Sequence, residues 1–295
     1  MHEKLIVILG PTASGKSDLA VKLARKFNGE IVSADSRQVY KGLNIGSGKI
    51  TKKEMMGVAH HLLNVANPKR RFSVAQFQKL AQKRIKDIQK RGKIPFLVGG
   101  TGFYIQSVVE GIIIPKVKSN QKIRKKLSQK SVSQLFLILK KLDPHRAKNI
   151  DKNNPHRLIR AIEIVMTTKK PVPVLKSKKT FTTLEIGLNK PQPILKKLIR
   201  TRLIKRLNQG MITEVRKLHR LGVSYKRLEE LGLEYRYIAQ YLQEKITYQE
   251  MVASLQKSIE QFAKRQMTWF RRNKQINWIK NQKSAENLIR EFIDE

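Results

Sequence analysis

The chain has 295 residues, 40% of them apolar, enough for one large domain or a core carrying an inserted subdomain. It holds 62 Lys and Arg against 22 Asp and Glu, a net charge of +40, and such an excess favours a polyanionic partner, nucleic acid first. The absence of cysteine excludes disulfides, thiolate zinc sites and a catalytic thiol, and it fits a cytoplasmic address.

Residues 4–9 (KLIVIL) form an unbroken run bounded by Gly10-Pro11 and read as a buried parallel strand. The run is too short for a signal peptide or a membrane span, so no membrane is expected. Residues 17–27 read as a helix with Leu19, Ala20, Leu23, Ala24 and Phe27 on one face. Residues 30–35 (EIVSAD) are a second short strand. Ser73 and Gln76 form a capping-box pattern that opens a helix running to about Lys90, where Gly92 ends it. Residues 94–98 are a third strand, followed by Gly99-Gly100-Thr101-Gly102. Alternation of strand and helix argues for a doubly wound parallel sheet.

Beyond this the pattern changes. Residues 115–150 are polar and strongly basic, with short helical pieces. Residues 157–168 predict a helix, 169–180 a Pro/Lys-rich loop, and 183–188 another sheet strand. From Ile194 onward only helices are expected, including a long one over 248–272. The expected fold is therefore α/β: a P-loop-type parallel sheet flanked by helices, with a mostly helical insertion and a helical C-terminal region. Residues 1–114 and 179–295 form the core and 115–178 the basic insertion.

The segment Gly10-Pro11-Thr12-Ala13-Ser14-Gly15-Lys16-Ser17 matches G-x-x-x-x-G-K-[ST] and lies between a strand and a helix, the setting the motif demands. Its backbone N–H groups can curl around a phosphate, helped by the helix N-terminus. Lys16 is a mobile point charge for an outer phosphate, and Ser17 offers a hydroxyl to Mg²⁺. The motif, shared with ATP-binding proteins, specifies a polyphosphate and not which one. Asp35 is the one Asp at a strand end; it is a metal ligand, a base, or a cap on the next turn. GTPase switching fails, since Asn189-Lys190-Pro191-Gln192 ends in Gln where the guanine-reading motif needs Asp, and no Asp begins D-x-x-G. A small-molecule kinase stays open on the loop alone. His60 and His61 look like a metal pair, but adjacent residues point apart in a strand, and no acid neighbours them, so a structural role is expected.

Taken together, GPTASGKS (10–17), SADSRQVYKGLNIGSGK (33–49), HHLLNV (60–65), FSVAQF (72–77), VGGTGFYI (98–105), LDPHRAKNID (142–151), PHRLIRAIEI (155–164) and FAKRQMTWFRR (262–272) resemble the tRNA dimethylallyltransferases, in order and over nearly the whole chain. The resemblance implies transfer of a dimethylallyl group from dimethylallyl diphosphate to the exocyclic N6 of the adenosine 3′ of the anticodon, in tRNAs reading U-initial codons. It implies that residues 10–17 hold the donor's diphosphate with Mg²⁺, that Asp35 accepts the amine proton, and that Thr101 contacts the diphosphate and the reacting centre. Arg202, upstream of Leu207-Asn208-Gln209-Gly210, matches a diphosphate-binding Arg.

The same resemblance assigns RNA contacts to Asp35, Ser36, Arg37 and Gln38, which read the flipped base, to Thr101 and Arg124, and to His156, Arg157, Leu158, Ile159 and Arg160. Trp269 and Phe270 are aromatic enough to stack on bases, with buried core the stronger expectation. The chain departs from the family where Leu43-Asn44-Ile45-Gly46-Ser47-Gly48-Lys49 replaces a usual Met-Asp-Ile-Gly-Thr-Ala-Lys, at His156 in place of Gln, and at Leu233-Glu234. The expected partners are tRNA and dimethylallyl diphosphate, with the chain acting as a monomer. The rival readings are an adenylate isopentenyltransferase acting on free AMP, ADP or ATP, a P-loop small-molecule kinase, and an RNA-binding protein with a vestigial loop.

Overall fold

A computed structural model describes residues 3–115 and 117–295. The chain divides into two compact units, Met1–Gly111 with Lys179–Glu295, and Ile112–Lys178. In chain order the first unit begins with β1 (Glu3–Leu9), α1 (Lys16–Lys26), β2 (Gly29–Ser33), α2 (Lys52–Met55), β3 (His60–His61), α3 (Val74–Lys90), β4 (Ile94–Gly99) and α4 (Gly102–Val109). The second unit holds α5 (Gln121–Leu127), α6 (Val132–Leu142), α7 (Pro144–Lys148) and α8 (Pro155–Thr168). The first unit then resumes with β5 (Phe181–Leu188), α9 (Gln192–Asn208), α10 (Met211–Arg220), α11 (Tyr225–Leu231), α12 (Leu233–Leu242), α13 (Tyr248–Phe270), β6 (Asn277–Ile279) and α14 (Gln282–Asp294).

The six strands form one sheet in the order β3-β2-β4-β1-β5-β6, every pair parallel. The central strand explains its own run of apolar residues: Leu5, Val7 and Leu9 pack on one face with Phe77, Ala81 and Ile85 of α3 and Tyr104 and Ile105 of α4. Ile6 and Ile8 pack on the other with Leu19, Ala20, Leu23 and Ala24 of α1 and Ala285 and Ile289 of α14. A strand covered on both sides has no polar face, so alternation is lost. Helix α3 starts as expected, with Ser73 and Gln76 closing a reciprocal capping box. A third cluster, built from α9 to α13, gathers Leu203, Met211, Val215, Tyr235 and Met251.

One expectation needs correction. The region after Ile194 is not all helical: Asn277–Ile279 adds a sixth strand against β5. It was hidden because three residues carry too little pattern for a period to show. His60–His61 is likewise an edge strand, paired with β2. Its two imidazoles diverge as expected, His61 Nε2 reaching Glu30 at 2.7 Å and His60 Nδ1 meeting the Val58 carbonyl at 2.8 Å.

The second unit has its own small core of Leu127, Leu135, Leu139, Ala147, Leu158, Ala161 and Ile162. Its acids are Asp143, Asp151 and Glu163, and all three are engaged locally. Asp143 caps α7 and accepts from Val172 N, Asp151 accepts from Asn153 N, and Glu163 holds two arginines.

Candidate active site

At the carboxyl end of β1 the chain must turn sharply into α1. Gly15, immediately before the helix, adopts φ 90°, a left-handed conformation that favours glycine. The N–H groups of Gly15, Lys16, Ser17 and Asp18 find no backbone acceptor among the described residues. They are the orphan donors of a helix start, and they face a cleft of about 600 Å³. Lys16 Nζ folds back to the Pro11 carbonyl at 3.1 Å. Burial lowers its pKa to about 8, with the Asp35 carboxylate pulling it up and the Arg202 guanidinium pushing it down. The Ser14 hydroxyl, in a residue 2% exposed, has no hydrogen-bond partner among the described residues. Phosphate oxygens would satisfy these donors together.

Gly10 to Ser17 thus form one built cradle. Gln266, a buried side chain of α13, locks it from behind. Its Oε1 accepts from Thr12 N at 2.9 Å and its Nε2 donates to the Gly100 carbonyl at 2.7 Å. Ala13 packs into the core with φ 61°, and Pro11 is buried.

Strands β2 and β4 are neighbours, so Asp35 and Thr101, each just past its strand, meet at the same sheet edge. Asp35 Oδ1 accepts from Arg37 N at 2.8 Å and Gln38 N at 3.3 Å, so the capping role foreseen for it is real. Only one oxygen is so used, and Asp35 also lines the cleft. Thr101 stands at the N-cap of α4 yet does not cap it. Its Oγ1 instead accepts from Ser36 N at 3.0 Å and approaches Ser36 Oγ at 3.4 Å. Gln38 is tied to Ser33 and Gly48, and Arg37 to the Glu230 carbonyl.

Arg202 sits exposed on α9 at the cleft, with Arg206 one turn on. Arg206 reaches Glu234 and the Gly46 carbonyl, each at 3.4 Å, and it was not foreseen; the i, i+4 spacing of the two arginines was the available signal. Gln266 was also missed, although it lies within FAKRQMTWFRR. The segment 44–46, where the chain departs from the family, is held by Glu214, whose carboxylate accepts all three backbone N–H groups and the Tyr235 hydroxyl.

The remaining expected contacts lie in the second unit. His156 and Arg157 are exposed at the start of α8, and Ile159 is partly buried. Arg124 donates Nε and Nη2 to Glu163 at 2.8 and 2.7 Å, and Arg160 donates Nη1 to the same carboxylate and Nη2 to the Val117 carbonyl. Burial pushes the Glu163 carboxyl up, but the two arginines and the Asn120 N–H outweigh it and bring it down to about 2. Leu158, in the same expected segment, is 0% exposed and packs in the unit's core. Phe270 is likewise core, at 3% exposed, while Trp269 stays partly open.

As a metal site the cleft offers the Ser17 hydroxyl and the free Asp35 oxygen. No cluster of three or more His, Asp or Glu is placed to hold an ion among the described residues. That donor set suits Mg²⁺, which keeps several waters and is shared with a bound phosphate, and not a metal wanting an all-protein cage. No described helix is long and apolar enough to cross a membrane.

The IPP transferase family model matches residues 38–273. The chain is 41% identical to the tRNA dimethylallyltransferase of Carboxydothermus hydrogenoformans, over 99% of this chain and 97% of that one. It is 43% identical to tRNA dimethylallyltransferase 2 of Treponema denticola, over 93% and 95%. Among solved structures, the tRNA isopentenylpyrophosphate transferase of Bacillus halodurans superposes with a TM-score of 0.76 at 35% identity, covering 99% and 97% of the two chains. A eukaryotic dimethylallyltransferase acting on tRNA gives 0.76 at 28%, covering 91% and 70%. A phosphate cradle beside a carboxylate at the sheet edge, continuous with such full-length similarity, makes this chain a member of the IPP transferase family, the tRNA dimethylallyltransferases.

Proposed function

We propose that the chain moves the dimethylallyl group of dimethylallyl diphosphate onto N6 of the adenosine 3′ of the anticodon, in tRNAs reading U-initial codons. One observation carries this reading: the Ser14 hydroxyl and the backbone N–H groups of residues 15–18, without acceptors among the described residues, line one cleft with Asp35. A cradle for a leaving diphosphate and a proton acceptor are what the reaction needs within reach of each other.

In the reaction the allylic C–O bond breaks, a C–N bond forms, pyrophosphate leaves, and the amine loses one proton. Lys16, Arg202 and the N–H groups at the start of α1 neutralise the charge that grows on the leaving group. Such preorganised donors stabilise a transition state more than a ground state, and losing one typically costs on the order of 100-fold. Asp35, oriented by the Arg37 and Gln38 N–H groups, accepts the proton through its second oxygen. Exocyclic adenine nitrogen is a poor nucleophile, so holding it in line contributes more than removing its proton. Thr101, fixed by Ser36, contacts the diphosphate and the reacting centre.

Ser17, with its hydroxyl at the cleft, would hold Mg²⁺, which when bound would supply further charge neutralisation. The adenine leaves its stack to enter the cleft at a cost of a few kcal/mol. Ser36, Arg37 and Gln38 form the rim it meets, and Arg124, His156, Arg157 and Arg160 contact the RNA from the second unit.

The test is incubation with Mg²⁺, labelled dimethylallyl diphosphate and either unmodified tRNA or AMP, followed by nucleoside mass analysis. Isopentenyladenosine from tRNA and not AMP is the expected result. Label on AMP alone would move the chain to the adenylate branch, and no transfer would refute the reading.

A further inference from the structure

We infer that Glu214 is a positioning residue for the reaction: it folds residues 44–48 into a turn whose Gly48 carbonyl sets the Gln38 carboxamide at the cleft. This role rests on the tRNA reading above, in which Gln38 is part of the rim that meets the flipped adenine.

Asn44, Ile45 and Gly46 present three successive backbone N–H groups, and none of them has a backbone acceptor among the described residues. The carboxylate of Glu214, in the first turn of α10, takes all three. Its Oε2 accepts from Asn44 N at 2.9 Å and Ile45 N at 2.7 Å, and its Oε1 accepts from Gly46 N at 3.0 Å. Consecutive N–H groups converging on one point favour an anion there. A carboxylate, which only accepts, fits where an amide would turn a donor toward donors. The Tyr235 hydroxyl donates to Oε1 at 2.9 Å and holds the carboxylate from a further side. Tyr235 is 0% exposed, and its ring lies so close to Gly46 that a Cβ there would come within 2.7 Å of it. With residues 44–46 held, the turn closes through Gly48 N to the Ile45 carbonyl at 3.0 Å and Lys49 N to the Asn44 carbonyl at 2.9 Å.

The closed turn aims the Gly48 carbonyl at Gln38, whose Nε2 donates to it at 3.2 Å while its Oε1 accepts from Ser33 Oγ at 3.3 Å. Bonds at both ends fix which way the carboxamide faces. Each end keeps one free place, the second N–H and the second lone pair. That donor–acceptor pair is the one that matches an adenine edge, and Gln38 lines the cleft together with Asp35. Glu214 and Tyr235 lie outside the cleft lining, so their effect on the base passes through the turn. Arg206 also reaches the Gly46 carbonyl, and the donor KM reports on that arm.

The experiment measures transfer to an unmodified anticodon stem-loop by wild-type protein, Glu214→Gln, Gln38→Ala and the double variant, with KM determined for RNA and for dimethylallyl diphosphate. Gln38→Ala should raise the RNA KM on the order of tenfold, and Glu214→Gln by about three- to tenfold. The double variant should stay within about twofold of Gln38→Ala alone, because the two changes remove one interaction. The donor KM should move less than the RNA KM. Should Glu214→Gln fail to fold, Tyr235→Phe removes one of the four donors; it should cost about two- to threefold, again absorbed by Gln38→Ala. Losses that multiply in the double variants, or equal rises in both KM values, would overturn the inference and leave Glu214 a plain structural residue. An unchanged RNA KM in Gln38→Ala would overturn it together with the rim role of Gln38. Failure of wild-type protein to prenylate the stem-loop would instead overturn the tRNA reading itself.

Discussion

Replacing Glu163 by Gln is a sharp test of how the second unit is held together. The carboxylate is fully buried and accepts from Arg124 Nε, Arg124 Nη2, Arg160 Nη1 and Asn120 N. Gln keeps the size but loses the charge, and its amide turns a donor toward a guanidinium. Breaking a buried pair from one side costs about 3–5 kcal/mol. The arginines here are 26% and 33% exposed and can swing toward water, so the lower end, about 3 kcal/mol, applies. That is roughly a hundredfold in an opening equilibrium.

Native-state hydrogen exchange should show the amides of Pro155–Thr168 exchanging about a hundredfold faster, with β1 and α1 unchanged. The wild-type unit should also be acid-labile. Glu163 is held near pH 2, below its ordinary value of 4.5, so its stabilisation is complete above 4.5 and is lost as pH falls toward 2. Glu163→Gln should lack that limb. Equal exchange rates in the two proteins, or equal acid sensitivity, would refute the reasoning.

Other predictions follow from the cleft. Asp35→Ala should lower turnover sharply and leave tRNA affinity within a few-fold, measured by single-turnover transfer and filter binding; a large loss of RNA binding would make Asp35 a recognition residue. With Lys16 at about 8, its charge is present below that pH, so affinity for inorganic pyrophosphate should fall as pH rises through about 8, and Lys16→Arg should remove the Lys16 part of that fall. Gly102→Ala must displace Trp269; calorimetry should find a loss of about 1–3 kcal/mol, with a shift in tryptophan emission. Arg157→Ala should weaken tRNA binding and reduce its salt slope, whereas unchanged binding would return the start of α8 to plain structure.

What could be read from residue order alone follows from where the physics is local. The turn at Gly10–Ser17, the run of β1, and the Ser73–Gln76 capping box each depend on neighbours in sequence, and each was legible. That Asp35 and Thr101 lie at one sheet edge was legible because each follows one of two strands expected to be neighbours. A motif match does not say which way a helix faces, and it was the apolar stripe with Ala161, Ile162 and Val165 that marked Leu158 as core. The Glu163 network joins residues some 40 positions apart, and Gln266 bridges to Thr12 across 254. Pairings of that range leave no local pattern. Strand β6 escaped for the opposite reason, being too short for any period to declare itself.

The most direct measurement of the central claim compares two transcripts of a tRNA reading a U-initial codon, one with adenosine 3′ of the anticodon and one with guanosine there. Each is incubated with the protein, Mg²⁺ and labelled dimethylallyl diphosphate, and the modified nucleotide is located by fragment mass mapping. The account predicts stoichiometric isopentenyladenosine at that position in the first transcript and none in the second. Equal labelling of both, or label mapped elsewhere in the RNA, would contradict it.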